Sequence, residues 1–397
     1  MDREKHTATT GNTGDRVRSD CQVQLELKTS GGIQIRLQSK VDRMFGEQIR
    51  MQAREVLEVL GVGHAGLEIE DSGALPFVIG ARIEAAVRQL TETDRRWFPP
   101  VLEQNRPESS RDRFRHSRLY LPGNTPSMML NAGLHHPHGI ILDLEDSVAP
   151  AKKEEARILV RNALCQVDFY GAERMVRINQ LPAGMEDLEE VVPFYPHLIL
   201  LPKCEHASQV REAAERIGAI LKKHSQKREI FLMPIIESAL GVEHAFEIAS
   251  ASTGVVAMAI GLEDYTADLG VQRSRSGEES LYARTRMVNA CKAAGIQPID
   301  SVFSDVADTE GLRKNLETSR SLGFEGMGCI HPRQVPVIHE AFIPKEEEVE
   351  KAGRIVEAYE EAEASGSGVV ALGSKMIDPP VVKRARRTLD LARKLKS

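Results

Sequence analysis

From Ser117 onward the chain repeats one rhythm, a short apolar run followed by a longer stretch with apolar positions at helical spacing. The runs are RLYLPG, GIILDLED, RMVRINQ, HLILLPK, IFLMPIIES, VVAMAIGLEDY, PIDSVFSD and GMGCIHP, with segments such as KKEEARILVRNAL and ASQVREAAERIGAILKKH between them. Apolar runs with little alternation mark strands buried on both faces, and strands that alternate with amphipathic helices mark a parallel sheet. Eight such units over about 220 residues have the size of a (β/α)8 barrel. A doubly wound open sheet is the alternative, but no GxGxxG follows the first strand.

The N-terminal part is patterned differently. Residues 1–16 are polar and rich in Gly and Thr, which predicts disorder. CQVQLELKT and IQIRLQS alternate on either side of Ser30-Gly31-Gly32, which predicts a β-hairpin. A helix with a stop at Gly61, a third strand in GLEIED and a second helix in FVIGARIEAAVRQL complete a small α+β unit over 17–91. The charged, proline-containing segment 92–114 reads as a linker, 115–345 as the barrel, and 346–397 as a C-terminal helical lid segment. The fold class is therefore α/β, a TIM barrel preceded by a small α+β domain.

Composition narrows the function classes. The net charge of −6 comes without a basic stripe, which argues against nucleic-acid binding. Five cysteines without a CxxC pair disfavour a disulfide scaffold or a zinc site and suit a reducing compartment. No apolar stretch approaches the roughly 20 residues of a membrane helix, and the N-terminus lacks the apolar core of a signal peptide. The expectation is a cytoplasmic enzyme with no membrane partner.

The chemistry lies in the last polar residue of each run: Asp143, Glu145 and Asp146, then Arg177, Lys203, Glu237, Glu263 and Asp264, and His331. In a barrel these strand ends converge on one face, where the active site sits. Any one of them alone is more often structural, but acidic groups gathered with an arginine and a lysine mark a pocket. Glu237 ends a run that reads as fully buried, and an unpaired carboxylate there costs several kcal/mol, so it needs a mouth, a partner or a metal. Glu237 and Asp264 are hard oxygen donors that suit Mg2+ or Mn2+ and leave positions for a bidentate 2-oxo or 2-hydroxy acid. Arg177 is placed to stabilise the oxygen that gains charge, and Lys203 to act as a positioning charge rather than a Schiff base.

RLYLPGNTP, DLEDSVAPAKKEEAR, VRIN, LPK, IIESALGV, GLEDYTADLG, LYARTRMVNACKAAGIQPID and GCIHPRQV, in that order, resemble the citrate lyase beta-subunit superfamily, which includes malyl-CoA and citramalyl-CoA lyases. The resemblance runs from about residue 115 to the C-terminus. It implies Mg2+-dependent carbon–carbon cleavage or formation next to a thioester. Glu237 and Asp264 match the metal ligands and Arg177 the arginine on the oxo-acid carbonyl. Asp143 and Glu145 match the acidic strand end beside the metal, and Lys203 and His331 are counted with the substrate-binding groups. The tail around MIDPPVVKRARR is similar to the lid of the CoA-dependent members, where the residue matching Asp378 is the acid/base that reaches a neighbouring subunit. That likeness implies a homotrimer or hexamer, whereas the plain reading of Asp378 is a helix cap.

RSDCQVQLEL, GGIQIRL, FGEQI, VLGV and IEDSGALPFVIGARIEAAV resemble the citrate lyase gamma subunit, an acyl carrier protein. The serine that bears the CoA-derived arm in that family falls on Arg18, with Ser19 next to it. Either Ser19 carries the arm, or the arm is lost and the domain keeps a docking or oligomerisation role. The expected activity is cleavage of citramalyl-CoA or malyl-CoA to acetyl-CoA and a 2-oxo acid. The alternatives are a citryl-carrier lyase acting on a thioester tethered to this N-terminal domain, or a non-catalytic scaffold.

Overall fold

Eight parallel strands close into a barrel in which β12 pairs back onto β5. They are β5 (Ser117–Pro122), β6 (Gly139–Asp143), β7 (Glu173–Arg177), β8 (Leu198–Leu201), β9 (Phe231–Ile236), β10 (Ala257–Ile260), β11 (Gln297–Asp300) and β12 (Gly326–Cys329). The structure is a computed structural model that describes residues 6–364, 370–372 and 375–394. Successive side chains of each strand point to opposite faces, so every apolar run serves two cores. Ile141, Met175, Leu200, Met233, Ile235 and Ile299 fill the barrel interior. Leu119, Leu142, Val176, Ile199, Leu232 and Met258 face the surrounding helices. The eight runs read from the sequence are the eight strands observed. Among the described residues no helix is long and apolar enough to cross a membrane.

The N-terminal unit differs from its reading in two ways. Strands β1 (Thr7–Gly11), β2 (Cys21–Leu27), β3 (Ile33–Ser39) and β4 (Ala65–Asp71) form a sheet of order β1-β2-β4-β3. The expected hairpin between β2 and β3 is absent, because β4 lies between them, antiparallel to β2 and parallel to β3. The parallel pair is joined by a crossover helix, α1 (Asp42–Val59), as parallel strands require. The second difference is β1, which lies within the segment 1–16 expected to be disordered. Its polar composition hides the pairing: Ala8 and Thr10 are buried, and the Thr10 hydroxyl donates to the Arg82 carbonyl at 2.7 Å. Residues 1–5 of that segment lie outside the described residues.

Helix α2 (Pro76–Leu90) joins this sheet to the barrel, packing against the helix Lys153–Gln166. It is buried on two sides from Phe77 to Val87, with Ile79, Ile83 and Val87 in the small sheet's core and Phe77, Val78, Ala81 and Ala85 in the barrel's outer core. Gly80 admits the Trp97 ring, since a Cβ there would come within 2.1 Å of it. Charges pulled out of water in this junction are paired. Arg161 is fully buried and donates to Glu84 at 2.8 and 3.0 Å and also to Glu190, while Arg88 bridges Glu190 at 2.9 Å. Arg82 spans Asp20 at 2.9 Å and Glu155 at 3.3 Å.

The segment 92–114, read as a linker, is a strap packed on the barrel. The Asn105 amide donates to the carbonyls of Leu164, Cys165 and Val167, and Arg111 donates to the Val255 carbonyl at 3.1 Å. Beneath the strand N-termini, His116, His138 and His339 stack with ring centroids 4.3 to 5.0 Å apart for successive pairs. At the other end of the chain the helices Glu346–Ala364 and Pro379–Lys394 pack together. In the sequence the stretch between them, Ser365-Gly366-Ser367-Gly368, reads as a Gly/Ser hinge, and it lies outside the described residues.

Two stability predictions follow from these burials. Arg161→Ala leaves Glu84 charged, buried and short of its main partner, which is expected to cost about 3–5 kcal/mol in urea denaturation. A loss below about 1 kcal/mol would mean that the two units are held by apolar contact alone. In the histidine stack, burial first and the neighbouring imidazoles second hold His138 down to about 3 and His339 down to about 4. The unfolded chain, with His near 6.5, therefore binds more protons than the native one as pH falls. That stabilisation is complete above pH 6.5 and is lost downwards toward pH 4. The melting temperature should fall between pH 6.5 and 4, with a shallower decline in His138→Asn.

Candidate active site

The C-terminal ends of the strands open into a cavity of about 380 Å3. Asp143 ends β6 and lies opposite Arg177, the last residue of β7, in the parallel register. The pair is bidentate, Arg177 donating through Nε at 2.6 Å and Nη2 at 2.8 Å. The Asp143 carboxylate also accepts the backbone N–H groups of Glu145 and Ser147. Burial works against its charge, but Arg177 and these N–H groups hold it below the ordinary carboxylate range. Burial likewise opposes the Arg177 charge, and Asp143 outweighs it, so the guanidinium stays protonated. Its carbon sits 5.3 Å from the centroid of the Tyr120 ring.

From this pair the charges alternate around the mouth. Glu145 lies 2.8 Å from Arg177 Nη1 through one oxygen and accepts from Lys203 Nζ at 2.8 Å through the other. Asp146 stands on the rim, 3.4 Å from both cations. Lys203 follows β8 in a left-handed turn, with φ of 50°, which points its backbone N–H at Glu237 Oε2 at 2.8 Å. Glu237 follows β9 and is 6% exposed. Burial above all, with Glu145 and Asp264 nearby, pushes it up to about 7, against the Lys203 N–H. Gly261 is required beside it, since a Cβ there would stand 2.5 Å from Glu237 Oε1. Asp264 is exposed in the first turn of the helix Leu262–Leu269, where the helix dipole favours a carboxylate.

The site therefore holds a buried carboxylate whose charge its surroundings do not balance, with a second carboxylate, Asp264, lining the same cavity nearby. A hard cation would balance both, and neither histidine nor cysteine is present to favour a softer one. Among the described residues no three His, Cys, Asp or Glu side chains converge on one point. An ion here would take Glu237 and Asp264 and complete its shell with substrate and water, as Mg2+ commonly does.

The structure gathers Asp143, Glu145, Asp146, Arg177, Lys203, Glu237, Glu263 and Asp264 of the residues named from sequence. It leaves out His331, whose Nδ1 accepts the Arg333 N–H inside its own turn, while Ile330 lines the cavity instead. Asp378 is also outside its own chain's cavity. It caps the helix Pro379–Lys394 by accepting the Val381 N–H, and Arg387 of that helix pairs with Glu325, which precedes β12 at the opposite end of the barrel. Ser19 sits in the N-terminal unit with φ of 56°, its N–H on the Ser72 carbonyl. The adjacent Asp20 is tied through Arg82 to the carbonyl of Asn124, in the loop that leaves β5. Arg118, Tyr120 and Asp300 line the cavity without having been named. Alternation along RLYLP was the available signal for the first two, since positions 118 and 120 share one face of the strand. Asp300 ends its run as the other acids do, but Arg284 and the Ser319 hydroxyl engage it from behind.

A sequence profile described as HpcH/HpaI aldolase/citrate lyase matches residues 116–332, and one described as malonate decarboxylase delta subunit (MdcD), an acyl carrier type, matches residues 5–90. Citrate lyase subunit beta of Leuconostoc mesenteroides subsp. cremoris is 39% identical, over 71% of this chain and 94% of its own length. Human mitochondrial citramalyl-CoA lyase is 32% identical over 71% of this chain and 86% of its own. Among solved structures, the Mycobacterium tuberculosis protein CitE, in complex with magnesium, acetoacetate and coenzyme A, superposes with a TM-score of 0.60 at 31% identity, covering 71% of this chain and 99% of that one. With a closed parallel barrel and a carboxylate–arginine mouth at its strand ends, the chain belongs to the HpcH/HpaI aldolase/citrate lyase family of carbon–carbon lyases.

Proposed function

We propose that this chain is a Mg2+-dependent lyase that cleaves a 3-hydroxyacyl thioester of the citramalyl or malyl type to an acetyl thioester and a 2-oxo acid. The observation that carries the reading is the convergence of Glu237, Asp264 and Arg177 on one cavity of about 380 Å3. That volume suits a small oxo acid with the acyl end of a thioester, so the nucleotide of CoA lies outside it. Relatives with these activities, and the magnesium, acetoacetate and coenzyme A bound by the CitE structure, support the assignment.

Glu237 and Asp264 would hold the ion, which when bound would supply Lewis-acid polarisation of the oxo-acid oxygens. Arg177 is kept cationic by Asp143 and Glu145, and its remaining donor capacity faces the oxygen that is hydroxyl in the substrate and carbonyl in the product. Lys203 holds Glu145 with its ammonium and Glu237 with its backbone N–H, so one residue sets the spacing of two carboxylates. The substrate hydroxyl gives its proton to solvent and becomes the oxo-acid carbonyl as the carbon–carbon bond breaks. The electrons of that bond are left on the acetyl thioester as an enolate, whose terminal carbon then takes a proton and becomes the methyl group. Asp378 supplies that proton from a neighbouring subunit of a homotrimer or hexamer, consistent with its position outside its own cavity.

A second reading keeps the thioester on the chain itself. It draws on the carrier-type match over 5–90 and on the tie from Asp20 through Arg82 to Asn124. In that case Ser19 bears the prosthetic arm and the substrate is a citryl thioester. Intact mass of the purified protein separates the two. An unmodified mass with release of acetyl-CoA from citramalyl-CoA or malyl-CoA supports the free-CoA reading. An added arm on Ser19 with no turnover of free CoA thioesters overturns it.

Asp264→Ala should abolish turnover, about 10³-fold or more, and weaken Mg2+ binding while leaving the melting temperature nearly unchanged, because Asp264 is exposed. Undiminished activity would remove the metal assignment. Asp378→Ala should be equally inactive alone. Mixed oligomers of Asp264→Ala and Asp378→Ala should regain part of the wild-type rate, since some sites then combine an intact metal pair with an intact neighbouring Asp378. No recovery on mixing would place Asp378 outside the reaction.

A further inference from the structure

One face of the barrel beside the mouth is apolar and uncovered. Leu240, Phe246, Leu269, Leu281 and Tyr282 are 41 to 56% exposed. They belong to four helices that follow β9 and β10 in the chain, Ala239–Glu243, Ala245–Ala249, Leu262–Leu269 and Leu281–Ala294. Hydrogen bonds join these helices into one surface. The Tyr282 hydroxyl donates to the Glu243 carboxylate at 3.0 Å, which sets the first turn of Leu281–Ala294 against the end of Ala239–Glu243. The Ala239 N–H donates to Asp268 at 2.8 Å, which brings Leu240 close to Leu269. Arg286 donates to the Glu243 carbonyl at 3.1 Å, where the chain turns into the helix that carries Phe246. Single exposed apolar side chains are ordinary, but a group of them with a charged rim marks a surface that meets another protein.

The face adjoins the active site. The helix Leu262–Leu269 opens with Glu263 and Asp264 on the cavity and ends with Leu269 on the face. Leu269 comes five residues after Asp264, about 8 Å along the helix. The rim is acidic, with Glu243, Glu247 and Asp268 exposed. The complement lies in the same chain. Along the helix Pro379–Lys394, Val382 and Ala385 are buried, while Lys383, Arg384, Arg386 and Arg387 are exposed. Arg386 pairs with Glu360 and Arg387 with Glu325, but among the described residues Lys383 and Arg384 have no carboxylate partner. Met376, two residues before Asp378, is 67% exposed. An exposed methionine and two unpaired cations thus flank Asp378, as an apolar face and three carboxylates flank Asp264.

We propose that this face is the seat of a second copy of the chain. The copy's Met376 lies on the apolar side chains and its Lys383 and Arg384 meet the acidic rim, which delivers its Asp378 to the mouth beside Asp264. The proposal rests on the lyase reading above, in which Asp378 acts from a neighbouring subunit. Opposite charge on the two surfaces sets the register of the contact, and apolar burial supplies its strength.

The test follows oligomeric state by light scattering, and turnover of citramalyl-CoA and malyl-CoA with Mg2+, in full-length variants. Leu281→Glu should shift the assembly to monomer and lower turnover about 100-fold or more, the scale of a missing general acid. Its Mg2+-dependent binding of pyruvate should stay within about twofold of wild type, because Glu237, Asp264 and Arg177 of its own chain are intact. Glu243→Lys with Glu247→Lys, and separately Lys383→Glu with Arg384→Glu, should each weaken association about tenfold or more. All four changes together should restore most of it, since the signs are then exchanged across the contact. Should Leu281→Glu fold poorly, the charge pairs decide, because all four positions are exposed. An oligomer and turnover that survive Leu281→Glu overturn the proposal, as does a fourfold variant no better than either pair. A monomeric wild type that turns over also overturns it, while sparing the lyase reading. An assembled wild type without turnover of any thioester overturns the lyase reading and, with it, the delivery of Asp378.

Discussion

The bidentate pair between Arg177 and Asp143 is the interaction on which the mouth of this barrel depends. Two adjacent parallel strands end in opposite charges at the same register position, so the pair forms across the sheet without any loop having to find it. Once made, it fixes a guanidinium over Tyr120 and offers Glu145 a second cation, and Glu145 in turn positions Lys203. The order of charges around the rim follows from that first pair. It also explains why Asp143 and Glu145 behave oppositely: both are buried, but Asp143 takes two guanidinium bonds and two backbone N–H groups, while Glu145 has burial as its dominant influence and is pushed upward.

Glu237 is the remainder left by this arrangement. Its one strong donor is a backbone N–H, and its carboxylate neighbours raise it further. A site that leaves a carboxylate near neutrality is prepared for either a proton or a cation, and the oxygen-only donor set suits a hard ion. The same logic of pairing holds the rest of the molecule together. At the junction of the two units, Arg82, Glu84, Arg161 and Glu190 are all withdrawn from water and all paired. A network of this kind adds little net stability over apolar packing, while the loss of one partner leaves an uncompensated buried charge. The N-terminal unit is thus joined to the barrel through α2 and a set of buried paired charges.

Much of this was legible in the chain. The eight barrel strands, the helices between them, and eight of the charged groups at the mouth follow from where short apolar runs end in polar residues. Parallel strands buried on both faces can surface only at their ends, so the end residue carries the information. The hairpin between β2 and β3 failed because alternation reports which face a residue takes and is silent about which strand lies beside it. Strand β1 and the strap 92–114 were missed because their polarity reads as solvation, whereas their polar atoms are spent on the Arg82 carbonyl and on the barrel's helix ends.

The sequence by itself determined the class of fold, the family and the chemical type of the site, since each of these depends on local periodicity and on residue types at strand ends. The tertiary structure alone decided that His331 folds back on its own turn, that Asp378 caps its own helix outside its chain's cavity, and that Arg118 reaches from β5 across the barrel to Met233 on β9. Those facts depend on the direction of a side chain and on what faces it across the barrel. Residues on β5 and β9 meet there from more than a hundred positions apart, a distance no local pattern spans.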